Sequence, residues 1–172
     1  MFSPRKATTQ NRESHRVGVC VLELIIVVPI VMMFLLAVVT FGLILSESTQ
    51  VLQAANIGAQ QASVQARSSA SSLLPQVVTA VDSQFAAAGF SVSDSNRQVI
   101  VESSTIDSSI ASAGPGLYSP ADALAIPADS VRVTVAVRLG VMSEDFMATY
   151  GFSIANGYAF YRVVKKYNGP SI

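Results

Sequence analysis

From Val19 to Leu45 the chain reads VCVLELIIVVPIVMMFLLAVVTFGLIL, twenty-seven residues whose single charge is Glu23. As a helix rising 1.5 Å per residue, this run would extend about 40 Å, more than the roughly 30 Å hydrocarbon core of a bilayer. It is too long for the apolar region of a secretory signal. No small-x-small cleavage site follows it either, because Leu43-Ile44-Leu45 runs straight into Ser46-Glu47. Residues 19–45 therefore read as a membrane-spanning helix in contact with lipid. A chain of 172 residues leaves room for one small domain beyond it.

Charge orients the span. Residues 1–18 carry Arg5, Lys6, Arg12 and Arg16 against Glu13, a net +3, while the remaining 154 residues hold seven basic and ten acidic groups, a net −3. Basic residues concentrate on the cytoplasmic side of a span. The expected arrangement is a cytoplasmic leader over 1–18, a single pass through the inner (cytoplasmic) membrane, and a periplasmic or extracellular remainder over 46–172. The overall balance is zero, so no net field attracts nucleic acid.

The reactive side chains exclude whole classes of chemistry. Cys20 is the only cysteine, His15 the only histidine, and neither type occurs after residue 20. That removes intrachain disulfides, Cys/His zinc sites, and Ser-His-Asp or Cys-His nucleophiles from the body of the chain. No Gly-rich phosphate loop and no HExxH motif is present. Catalysis would rest on unaided carboxylates, Tyr or Lys, so the chain is expected not to be an enzyme. No catalytic residue, metal ligand, cofactor or small-molecule substrate is assigned.

Two residues inside the span fit a plain anchor poorly. Glu23 is an intramembrane carboxylate, expensive unless it has a partner, although near the cytoplasmic interface it could snorkel. Pro29 removes one backbone hydrogen bond from the helix interior and crowds the preceding turn. A second reading takes Gly18-Val19-Cys20-Val21-Leu22-Glu23 as a processing site: a basic leader ends in Gly, and an apolar helix follows with Glu at its fifth position. This is similar to the class III signal of type IV prepilins. The resemblance implies cleavage between Gly18 and Val19 by a prepilin peptidase, which would free the Val19 amine one turn from Glu23. Lack of a Cβ at Gly18 suits close approach of a protease to the extended backbone.

The longer stretch RVGVCVLELIIVVPIVMMFLLAVVTFGLIL resembles the TadE-like family of the tight adherence (Tad/Flp) pilus system. Glu23 and Pro29 keep that family's six-residue spacing, and Phe41-Gly42 matches its aromatic-Gly near the far end of the span. Leu24 stands where an aromatic residue is usual, and Cys20 and Val21 stand where Ala is common. The resemblance covers about residues 15–66. It implies prepilin peptidase, other pilins or pseudopilins and an inner-membrane assembly platform as partners, with Glu23, Leu24 and Pro29 as the assembly and processing residues.

Beyond the span, residues 46–70 are rich in helix formers and lack Pro, which predicts continuation of the first helix. Val51, Ala55, Gly58, Ala62 and Ala66 recur at spacings of three and four and form a small-residue stripe. Such a stripe lets another helix approach closely; it could equally face the protein's own head. A second helix is expected over 73–88, with Pro75 in its first turn and Gly89 just past its end. Strands are expected over 97–106, 131–139 and 158–167, a loop over 108–129, and a short helical segment near 143–149. The fold class is then α+β: a long N-terminal helix extending into a pilin-like head over 71–172, with a second helix and a roughly three-stranded antiparallel sheet. Glu144-Asp145 read as a helix start, Lys165-Lys166 as a solvated strand edge, and Tyr158, Phe160, Tyr161 and Tyr167 as core or interface.

These readings converge on a minor pilin-like (pseudopilin) structural subunit acting by assembly. The alternative is an uncleaved single-pass membrane protein whose outer domain binds an envelope component.

Overall fold

The computed structural model describes residues 11–65, 68–104, 109–119, 125–142, 146, 148 and 151–168, with side chains from residue 21 onward. Helix α1 (Asn11–Val64) is 54 residues long and runs through Pro29. Helix α2 (Ala70–Ala87) follows, then strands β1 (Arg97–Ser103), β2 (Ile110–Ala113) and β3 (Ser130–Arg138), the single turn α3 (Leu139–Met142) and strand β4 (Tyr158–Lys166). The chain divides into two compact units, Met1–Val39 and Thr40–Ile172. The fold is α+β, with a four-stranded antiparallel sheet in the order β2-β1-β3-β4 rather than three strands. The added strand, β2, lies inside the stretch expected as a loop over 108–129. Its Ile-Ala-Ser-Ala sequence carries little strand propensity, and pairing with β1 from Val99↔Ala113 to Glu102↔Ile110 defines it.

Helix α2 starts three residues earlier than expected, which puts Pro75 in the helix interior rather than its first turn. Ser69 takes the N-cap position, and the Ser109 hydroxyl accepts a hydrogen bond from the first helical N–H, Ala70, at 2.9 Å. The far end closes as the sequence suggests. Gly89 adopts φ +82°, its N–H donates to Ala86, and the Phe90 N–H donates back to Phe85. That pair of bonds is the Schellman arrangement, in which an αL residue just past the helix satisfies its last carbonyls. Most of the short helix expected over 143–149 lies outside the described residues; the turn observed nearby is α3.

The sheet is buried on both faces along β1 and β3. One face carries Val99, Val101, Val131, Val133, Val135 and Val137, which join Leu73, Val77, Val81 and Phe85 of α2 and Val51 to Ala62 of α1 in a single core. Strand alternation sends Gln98, Ile100, Glu102, Arg132, Thr134 and Ala136 to the other face. There the β2–β3 connection covers them: the Tyr118 ring stacks on Phe160 with centroids 5.1 Å apart, and its N–H donates to Gln98 Oε1 at 2.7 Å. Beneath it Arg132 and Glu102 form a two-pronged ion pair, at 2.5 and 2.6 Å, with side chains only 4% and 2% exposed. The hydrogen bonds that it donates to the Glu102 carboxylate push the Arg132 guanidinium pKa further up, so this arginine is always charged.

Candidate functional site

The residues singled out from the sequence fall on two stretches of α1 with opposite surroundings. Gly18, Val19, Glu23, Leu24 and Pro29 all lie within the continuous helix. Val19 and Glu23 are four residues apart, one turn, and so share a helix face. Glu23 and Pro29 are exposed, and Leu24 is 61% exposed. Around them Leu22, Ile25, Ile26, Ile30 and Phe34 expose between 56% and 74% of their surface. A soluble protein does not leave such a run of apolar side chains in water. By length and composition this helix can cross a membrane, and it is the one described helix that can.

The second stretch is buried. Val51, Ala55 and Ala62 are fully covered, as are Ala54 and Ala59 beside them, while Ala66 lies outside the described residues. Their neighbours belong to the same chain. A Cβ built on Gly58 would stand 3.1 Å from methyls of both Val77 and Val81 on α2 and 3.4 Å from Val133 on β3. Of the two surfaces the stripe could face, the structure places the protein's own head against it.

Two polar clusters escaped the sequence reading. The first is the Glu102–Arg132 pair. Its signal lay in the parity of the two strands, but only the register, Glu102↔Arg132, joins them. The second is Arg97, buried at the start of β1 and ion-paired to Asp94 and, at 2.5 Å, to Asp82 of α2. Burial pushes the Asp82 carboxyl above its ordinary value, outweighing the opposing pull of Arg97. Both clusters tie elements of the head together. Among the described residues no group of His, Cys, Asp or Glu could hold a metal ion. Glu144 and Asp145 lie outside the described residues, and Lys165 and Lys166 are exposed at the end of β4. Tyr161 and Tyr167 pack on the core, whereas Tyr158 and Phe160 remain 44% and 52% exposed.

The architecture thus defines an α+β head carried on one helix long and apolar enough to cross a bilayer, consistent with a single-pass membrane protein. Residues 18–60 match the family model described as TadE-like protein, the family that the Gly18, Glu23 and Pro29 spacing resembles. The matched segment is a quarter of the chain, running from the expected cleavage site into the buried stripe, and it supports association with the Tad pilus machinery. No curated protein and no solved structure matches the chain.

Proposed function

We propose that the protein is a minor pilin-like structural subunit for assembly of a Tad/Flp-type pilus or a related secretion apparatus. It inserts in the inner membrane with its N-terminus in the cytoplasm, is cleaved after Gly18 by a prepilin peptidase, and packs its apolar helix against other pilins at the assembly platform. It acts as a structural part, without catalysis or cofactor. The observation that carries this reading is the exposed apolar surface of α1 from residue 21 to 39, with Glu23 as the one carboxylate within it. Lipid alone could cover that surface, but an exposed carboxylate in it favours a positive partner. The Val19 amine of a neighbouring subunit is such a partner: it lies one turn from its own Glu23, and paired charges in a protein-lined site offset their desolvation.

Intact mass of the membrane-extracted protein tests the proposal. The mature chain should lack residues 1–18, and Gly18→Phe should leave it inserted and uncut. Glu23→Ala should be inserted and folded yet recovered poorly in sheared pilus fractions. A chain that keeps residues 1–18 in cells with active prepilin peptidase supports an uncleaved anchor with an envelope-binding head instead.

A further inference from the structure

The unit Thr40–Ile172 contains the end of the apolar run as well as the head, and the two overlap in height. Near its top the Asn168 N–H donates to the Ser63 carbonyl at 3.0 Å, beside the end of β4. Val133 lies against Gly58, and Val131 pairs with Lys165 nearer the top, so β3 runs opposite to α1. From Val133 to Val137 the strand descends about 13 Å, at roughly 3.3 Å per residue. The same drop along α1 is about nine residues at 1.5 Å each, from Gly58 to near residue 49. The turn after β3 therefore lies at the level of residues 40–50. Burial agrees with that placement: Thr40 and Glu47 are only 4% and 3% exposed, while Phe41 and Leu45, on other sides of the same turns, are 67% and 66% exposed. One side of the helix is covered by the head at a level where another side is still fit for lipid.

That pole exposes large apolar side chains among its described residues. Val141, Phe146, Phe152 and Tyr158 are 39%, 38%, 62% and 44% exposed; Phe146 and Phe152 lie within the connection from α3 to β4, and Val141 and Tyr158 at its two ends. The base of the connection is pinned: the Leu139 N–H donates to the Gly157 carbonyl at 3.0 Å, and Gly140 lies so close to Ala155 that an added Cβ would come within 2.7 Å of its Cα. Arg138 stands 5.9 Å over the Tyr158 ring at the same end. Exposed Phe beside Tyr and Arg is the composition of a surface seated at the headgroup level of a bilayer.

We propose that Val141, Phe146, Phe152 and Tyr158 form a second membrane contact, seated in the phospholipid leaflet on the head's side of the span, with Arg138 toward the phosphates. The level shared with the exposed Phe41 and Leu45 of the same unit argues for lipid as the occupant. The inference rests on α1 spanning the membrane and not on the pilin reading.

The chain has no tryptophan, so a single introduced Trp reports its own site. The full chain is reconstituted in phosphatidylethanolamine/phosphatidylglycerol vesicles carrying lipids brominated either near the headgroup or deep in the chain. Phe152→Trp should be blue-shifted and quenched most by the shallow bromines, Phe34→Trp by the deep ones, and Ser71→Trp by neither. All three positions are exposed. If Phe34→Trp is unquenched, the spanning reading fails and this inference with it. If Phe34→Trp is quenched but Phe152→Trp is not, the inference alone is overturned; a blue shift there without lipid quenching identifies a protein contact instead.

Discussion

At Gly58, α1 packs closely against its own head. The glycine's missing side chain leaves room for methyls of Val77 and Val81 that a Cβ would meet at 3.1 Å. Gly58→Leu should overpack this junction at about 1–3 kcal/mol and lower the thermal midpoint of the full chain in detergent by several degrees. An unchanged midpoint with lost assembly would move the stripe from core to interface. On the opposite face of the sheet the decisive pair is Glu102 with Arg132. Glu102→Gln keeps the shape but leaves a buried guanidinium without its counter-charge, which costs about 3–5 kcal/mol. Replacing both residues with Met removes the two charges together and should cost far less. Urea unfolding of the single and double variants measures that difference directly.

At the scale of elements, legibility followed local pattern. The long apolar helix, the Schellman end of α2 at Gly89 and the Val-rich strand β3 were readable because each carries its own pattern or terminal residue. The spacing of Gly18, Glu23 and Pro29 carried the family resemblance, which the match over residues 18–60 bears out. Strand β2 was not, because Ile110–Ala113 borrows its structure from β1 and has little propensity of its own. The partner of the small-residue stripe was also hidden, since Val51, Ala55 and Gly58 have the same spacing whether they face a neighbouring helix or their own sheet. What fixes β2 in place is the residue after it. Gly114 sits at φ +99°, and a Cβ there would fall 2.0 Å from the Arg97 carbonyl oxygen. Gly114→Ala should therefore cost more than the roughly 1–2 kcal/mol of a left-handed residue alone. Hydrogen exchange should show it as lost protection across Ile110–Ala113, with β3 amides still slow.

At the scale of the whole molecule, the two units present different surfaces. The core cluster begins at Val51, and the side chains from Val21 to Val39 are exposed or half-buried. The head is closed by its own contacts: α1 from Val51 to Ala62, α2, and a sheet covered on both faces. A chain beginning at Thr40 should therefore fold to the same head as the full chain. All five tyrosines lie between residues 118 and 167, so near-ultraviolet tyrosine dichroism reports the head and is silent about the span. In the same detergent, the midpoint followed by that signal should agree within about 2 °C, a shift of well under 1 kcal/mol for a domain of this size. A drop of ten degrees or more would mean that residues 1–39 hold the head together. The apolar half of α1 would then be a structural element of the head as well as its link to the membrane.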